Sequence, residues 1–226
     1  MIQEIPGNVR IQVPEQLFLK DPDSSELGKR IVKNAIDMIY ELGFENFTFK
    51  KLGQQIGSSE STVYRYFENK HKLLVYLINW YWGWIEYRMS FAIANLPDAS
   101  DQLKAALKVV TEEVVEDSSF SHVNEVLLYK IVFSESSKAY LTKDVDNENK
   151  QGYFKSYKRL CERISSIVLT INPQYPHAKT LVSTIIEGSH LQKFFSIHLP
   201  SLTNCDKNSC DDTDFFTDMA FSLIQK

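Results

Sequence analysis

The amino-acid sequence predicts an all-α protein, on three observations. Glycine and proline are few, 8 and 7 among 226 residues, and proline is nearly absent from the long periodic stretches. Apolar residues recur there at three- and four-residue spacing. No pair of alternating apolar runs is joined by a hairpin signal. With 43% apolar and 24% charged residues the balance is that of a globular chain, long enough for one large domain or two modest ones sharing a core.

Residues 1–22 alternate loosely (Val9, Ile11, Val13, Leu17, Leu19) around Pro6, Pro14 and Pro22, the pattern of an extended arm that is ordered only if it docks elsewhere. A helix opens after Asp23, where Glu26 completes a capping-box pattern, runs through Ile31, Ala35, Met38, Ile39 and Leu42, and stops at Gly43. Thr48 caps a short second helix through Leu52 and Ile56 to Gly57. Ser58 and Ser59 then cap a third from Glu60 to Tyr66. Asn69 caps a long helix from Lys70 to about Asn95, ended by Pro97. Further helices are expected at Asp101–Asp117, His122–Ser134, Asn149–Ile171, Tyr175–His198 and Asp211–Gln225, about nine in all.

The richest apolar run, Leu73–Ile85, has 13 residues and includes Asn79 and Gly83; a membrane span needs about 20. The N-terminus lacks the basic-then-apolar pattern of a secretion signal, so a cytoplasmic protein without membrane contact is expected. Cys161, Cys205 and Cys210 then read as free thiols rather than a disulfide framework. The net charge of −4 conceals an asymmetry. Residues 26–72 carry eight basic groups against six acidic ones, the only net-basic segment and the one place where phosphate binding is electrostatically plausible.

Three short helices in about 45 residues, with Gly57-Ser58-Ser59 between the second and third, have the dimensions of a helix-turn-helix unit. Such a unit needs small hydroxyl residues and donors on the outer face of its last helix, and phosphate donors at neighbouring helix starts. Val63 and Phe67 point inward by spacing, leaving Ser61, Thr62, Arg65 and Tyr66 outside. Thr48 and Lys70 stand at helix starts, where a hydroxyl, an ammonium and free backbone N–H groups can hold phosphates. Three amphipathic helices without any DNA function fit the same spacing.

The stretch from Gly43 through Phe47-Thr48-Phe49-Lys50-Lys51-Leu52, Ile56-Gly57-Ser58-Ser59, Thr62-Val63-Tyr64-Arg65-Tyr66-Phe67 and Asn69-Lys70 to Leu73-Leu74 resembles the TetR (tetracycline-repressor-like) family of bacterial transcription regulators. Two positions depart from its pattern. Gly53 stands where the family usually has Ala, and Ser58 where it has a small aliphatic residue, which is expected to loosen the second helix slightly. The resemblance implies an N-terminal arm (1–22), a helix-turn-helix DNA-binding domain (23–72) and a helical effector-binding and dimerisation domain (73–226), the long helix joining the last two.

It further implies phosphate contacts at Thr48, Tyr66 and Lys70, base or backbone contacts at Ser59, Ser61, Thr62 and Arg65, Tyr64 at the groove edge, and Lys50 among the DNA-binding residues. Arg65 is placed either to read a guanine through O6 and N7 or to hold a phosphate. An effector pocket for an apolar or aromatic small molecule is implied among Trp84, Tyr87, Phe91, His122, Tyr129, Phe133 and His190. All of these fit equally as ordinary core. A homodimer seam is expected along Leu181, Ile185 and Gly188 with Phe216 and Met219. The partners are thus double-stranded DNA, an effector and a second copy, with no cofactor, no metal and no enzymatic activity. Two alternatives remain open: a protein-binding adaptor with a vestigial helix-turn-helix, and a di-metal carboxylate enzyme using the spacings Glu68/His71 and Glu187/His190.

Overall fold

The computed structural model describes residues 10–116, 120, 122–206 and 212–225. Among them the chain forms eleven α-helices: α1 (Glu26–Asn46), α2 (Phe49–Gln55), α3 (Glu60–Tyr64), α4 (Lys70–Ile93), α5 (Ala99–Thr111), α6 (Glu125–Glu135), α7 (Ser137–Tyr140), α8 (Val145–Lys150), α9 (Lys155–Ile171), α10 (Ala178–His198) and α11 (Thr213–Ile224). No described helix is long and apolar enough to cross a membrane.

The start of α1 is capped by Ser25, whose Oγ accepts from the Gly28 N–H at 3.2 Å, and not by Asp23 as expected. Asp23 instead faces Arg10 and His122, its Oδ1 lying 3.1 Å from His122 Nε2. Gly43 breaks α1 as expected, at φ 75° and ψ 153°, a conformation that disfavours any residue with a Cβ. Thr48 and Asn69 cap α2 and α4, accepting from the Lys51 and Lys72 N–H groups at 3.2 and 2.8 Å.

α4 is the axis of the molecule. Every residue from Leu73 to Glu86 is buried. α5, α6 and α9 pack around it, and α10 and α11 close the outside. Its buried polar side chains find partners: Asn79 Nδ2 donates to the carbonyl of Tyr153 at 2.6 Å, and Glu86 takes Arg159 at 2.6 Å and Arg163 at 3.2 Å. The arm does dock. Leu17 is fully buried, Ile11 lies against Gly83 of α4, and the Leu19 N–H donates to the carbonyl of Tyr66 at 2.8 Å.

The later boundaries differ from expectation for local reasons. α5 ends at Thr111, and the next residue, Glu112, takes Arg88 of α4 at 2.7 Å. α6 begins after Asn124, which caps it at 2.9 Å, because His122 is held by Asp23. The four-residue α7 and six-residue α8 are too short to show a period. Cys161 is free, but Cys205 is disulfide-bonded, correcting the expectation of three free thiols; Cys210 lies outside the described residues. The Cys205 sulfur sits in the loop before α11, where no helix geometry holds it away from a second sulfur.

Gly53 does not loosen α2. A Cβ there would lie 2.9 Å from the Glu60 nitrogen and 3.0 Å from the Ser59 carbonyl carbon, so the glycine lets α3 seat directly on α2. Gly53→Ala is therefore expected to cost about 1–3 kcal/mol in urea unfolding. An unchanged midpoint would show that the two helices separate freely.

Candidate nucleic-acid interface

α2, a turn through Gly57 (φ 64°) and α3 form a compact corner. Leu52, Val63 and Phe67 are fully buried behind it and Phe49 nearly so. That burial fixes which side chains point away. Thr48, Lys50, Ser59, Ser61, Tyr64 and Arg65 are exposed, with Thr62 half-buried among them. Ser59 Oγ lies 2.8 Å from Ser61 Oγ and 2.9 Å from Thr62 Oγ1, so the start of α3 presents a linked trio of hydroxyls. Tyr64 leans edge-on against Phe49 at 5.0 Å and keeps 46% of its surface exposed. Neither Lys50 nor Arg65 has a hydrogen-bond or ion-pair partner among the described residues. Lys51 is engaged, donating to the Asn46 carbonyl at 2.8 Å.

Two of the residues expected to contact DNA are engaged within the chain. Tyr66 is 2% exposed, and its hydroxyl lies 2.8 Å from Ser25 Oγ, which ties the end of the α3 corner to the α1 cap. The Lys70 ammonium reaches the carbonyls of Phe44, Glu45 and Phe47 at 3.0, 3.1 and 3.4 Å and lies over the Phe44 ring. An ammonium has three donors, and these three carbonyls take them all. Lys70 is thus a staple between the end of α1 and the start of α4. The helix-start logic put a cation at the right place without showing that unpaired carbonyls at a helix end compete for it. One cation escaped sequence reasoning: Lys20, in the arm, is exposed and lies 5.1 Å from the centre of the Tyr66 ring. Only docking of the arm brings it there, so no local motif could have revealed it.

Residues 31–77 match the family model described as bacterial regulatory proteins, tetR family. That span runs from within α1 to within α4 and contains the whole corner. The likeness to the tetR family is thus one of this unit. Solved structures extend the likeness to the rest of the chain. A tetR-family regulatory protein from Rhodococcus RHA1 aligns at TM-score 0.58 and 14% identity, over 88% of this chain and 97% of that one. The tetR-family transcriptional regulator PfmR from Thermus thermophilus gives 0.57 and 14%, over 84% and 93%. AibR, solved in complex with isovaleryl coenzyme A and operator DNA, gives 0.56 and 12%, over 87% and 98%. At these identities the likeness shows the fold alone: all-α, with the helix-turn-helix at the N-terminal end. Comparison with curated proteins gives no match.

The residues expected to line an effector pocket scatter. Trp84 is fully buried under the Arg88 guanidinium, Phe91 is 63% exposed, Tyr87 packs on Phe91 and Phe120, and His122 is bound to Asp23. Tyr129, Phe133 and His190 do converge where α6 and α7 face α10. Two cavities lie there, divided by Phe133. One, of about 310 Å³, is lined by Tyr129 with Glu113, Lys130 and Lys193; the other, of about 460 Å³, is lined by His190 with Tyr140, Glu187 and Phe194. A third, of about 580 Å³, lies beyond Tyr140 between α8 and α9, and a polar groove of about 580 Å³ separates the arm from α9.

His190 was rightly singled out, but its surroundings are tertiary. Its ring stacks on Trp82 at 5.5 Å and lies 6.1 Å from Tyr129, and Nε2 is buried without a partner. Burial, with Lys193 nearby, pushes its pKa down to about 4, so the imidazole is neutral. Trp82 in turn stacks on Tyr157 at 4.5 Å and donates from Nε1 to the Tyr140 hydroxyl at 3.0 Å. Tyr157 donates to Glu187 Oε1 at 2.7 Å, and burial beside that carboxylate raises its pKa so far that the phenol keeps its proton.

The metal alternative loses its geometry. His71 pairs with Glu148 at 2.7 Å while Glu68 pairs with Lys72, and Glu187 is bound by Tyr157. Among the described residues no three His, Cys, Asp or Glu side chains gather to hold a metal ion. Four residues of the expected dimer seam pack within the chain itself. Leu181, Ile185 and Phe216 are buried within the chain, and a Cβ at Gly188 would lie 3.1 Å from the Phe216 ring. Gly188 thus admits this chain's own α11. Met219, half-buried, packs against the same core.

Lys70→Met is expected to lower the melting temperature, because three carbonyls lose their donor, with any loss of DNA binding following the loss of fold. A variant of unchanged melting temperature that no longer binds DNA would restore Lys70 as a direct contact. Free imidazole titrates near 6.5 and His190 near 4, so between these values the unfolded chain takes up a proton that the folded chain refuses. Stability is then full above pH 6.5 and falls with decreasing pH down to about 4, by on the order of 3 kcal/mol from this group. His190→Phe should flatten that part of the urea-unfolding profile; an equal slope in variant and wild type would contradict a neutral buried imidazole.

Proposed function

We propose that this protein is a ligand-responsive transcription regulator, most simply a repressor, that binds a palindromic duplex site as a homodimer. One observation carries the reading: the corner of α2 and α3 leaves Lys50, Arg65 and three linked hydroxyls unengaged on one face, while the cations behind it, Lys51 and Lys70, are occupied. Lys50 and Thr48 hold phosphates, the hydroxyl trio and Arg65 meet the major groove, and Lys20 adds a cation at the edge. A dimer fits this use because two recognition helices about 34–36 Å apart read successive turns of DNA. The apolar side chains left exposed on and around α10 and α11, Leu199, Leu202, Phe215 and Leu223, supply a surface for a second copy.

Ligand response is supported by the joint between the two units. Glu135, at the end of α6, accepts from the Phe44 N–H at 3.2 Å, and Lys138 of α7 bridges Glu135 at 2.6 Å and Glu45 at 3.3 Å. Phe133 and Tyr140, on the same two short helices, line the 460 Å³ cavity. A ligand that moves these helices moves the end of α1, from which α2 and α3 hang, and α4 offers a parallel route along its buried length. That AibR was solved with both isovaleryl coenzyme A and operator DNA supports joint occupancy in a fold of this kind.

The test is selection of a duplex site followed by anisotropy titrations across salt concentrations. Lys50→Ala should weaken binding to all sequences and reduce the salt slope by about one, whereas Arg65→Ala should relax preference at particular base pairs. Phe215→Glu should give a monomer in sedimentation with an unchanged melting temperature. A wild-type protein that shifts no duplex at low salt would leave the adaptor reading in its place.

A further inference from the structure

The four cavities differ in charge. In the 310 Å³ cavity Glu113 is accompanied by Lys130 and Lys193; in the cavity beyond Tyr140, Asp146 and Glu162 are accompanied by Lys158 and Lys179. The groove under the arm sets Arg10, Lys155 and Arg159 against Glu15 and Asp21. The 460 Å³ cavity alone of these is lined by a carboxylate, Glu187, with no lysine or arginine.

Its other polar features agree in sign. Glu187 spends one oxygen on Tyr157 at 2.7 Å, and its other oxygen has no donor from the described protein. His190, 5% exposed, lines the same cavity one helical turn along α10 from Glu187, with Nε2 buried and unpartnered. The unpaired Glu187 oxygen is an acceptor, and a donor N–H that carries positive charge makes the strongest hydrogen bond to a carboxylate. Phe133, Tyr140 and Phe194 give the walls, and aromatic faces attract cations. The cavity opens to solvent past Leu141 and Leu191, which are 84% and 51% exposed.

We propose that the effector is a hydrophobic ammonium: an aromatic or alkyl body seated among Phe133, Phe194 and Leu191, with a protonated amine donating to the unpaired oxygen of Glu187. This rests on the reading of the protein as ligand-responsive and names the class of ligand for that cavity. An anionic ligand would meet the Glu187 charge, and a neutral donor would make a weaker hydrogen bond to the carboxylate without compensating its charge. A quaternary ammonium carries the charge but has no N–H for the carboxylate.

Four probes with one body isolate the head group: 4-phenylbutylamine, 4-phenylbutan-1-ol, 4-phenylbutyrate and trimethyl(4-phenylbutyl)ammonium. Each is titrated into the full chain at neutral pH, with binding read from fluorescence of the tryptophans, of which Trp82 stacks on His190. The amine is expected to bind at least about tenfold more tightly than the alcohol and the quaternary ion, and the carboxylate most weakly, since a charge-assisted hydrogen bond of about 1.5–3 kcal/mol is worth tenfold or more. Glu187→Gln should remove most of that preference while leaving the alcohol within about twofold, and its circular dichroism and melting temperature report whether it folds. If Glu187→Gln does not fold, Glu187→Asp, which withdraws the carboxylate by one methylene, is expected to narrow the preference of amine over alcohol. Butyrate or alcohol binding as tightly as the amine would overturn the ammonium assignment while leaving a ligand cavity in place. Failure of all four to bind would overturn both.

Discussion

The structure depends on the burial of α4 along its whole middle. From Leu73 to Glu86 no side chain faces solvent, so the helix cannot be the surface of anything and must be enclosed. Enclosure is what recruits α5, α6 and α9 and seats the arm on Gly83, where a Cβ would strike Ile11. A carboxylate in that position is costly unless neutralised, and Glu86 obtains two guanidinium groups from α9. The pairing sets the register between α4 and α9, because Arg159 and Arg163 stand one turn apart on the facing helix.

The same rod carries the DNA-binding unit, and the unit is held by contacts that withdraw polar groups from solvent. Lys70 closes the end of α1 against the start of α4; Tyr66 closes α3 against the α1 cap; Glu135 and Lys138 clamp the α1–α2 junction from the other side. What remains free on the outer face is therefore a residue of subtraction. Lys50 and Arg65 are available because no carbonyl or carboxylate lies within their reach, while Lys51 and Lys70, equally basic, are spent. A basic count over the segment cannot separate the two kinds of lysine. Free carbonyls at a helix end can.

On the opposite side of α4, aromatic side chains of one composition serve distinct ends. Trp84 is core beneath Arg88, whereas Trp82, two residues away, is the back wall of the His190 site and joins Tyr157, Tyr140 and Glu187 into one stacked and hydrogen-bonded set. Placement on successive faces of a buried helix separates them, and both faces are apolar. The small residue Gly188, which the sequence offers as a close approach between copies, is a close approach within one copy because α11 folds back onto α10 and lays Phe216 across it.

The amino-acid sequence by itself determined what local physics decides. The all-α class, the Thr48 and Asn69 caps, the breaks at Gly43 and Gly57, and the inward Val63 and Phe67 all follow from spacing and capping within a few residues, and the stretch from Gly43 to Leu74 carried a family resemblance that the match over residues 31–77 bears out. Boundaries set by distant partners were not legible: α5 ends where Glu112 meets Arg88, and α6 waits until His122 has met Asp23. The assignment of free and occupied donors, the gathering of Tyr129, Phe133 and His190 without Trp84 or Phe91, and the inward turn of the α10 seam were decided only in three dimensions. Each depends on which of several chemically equal groups comes within about 3 Å of a partner, and residues 70 and 44, 122 and 23, or 188 and 216 are brought that close by packing around α4, not by their separation along the chain.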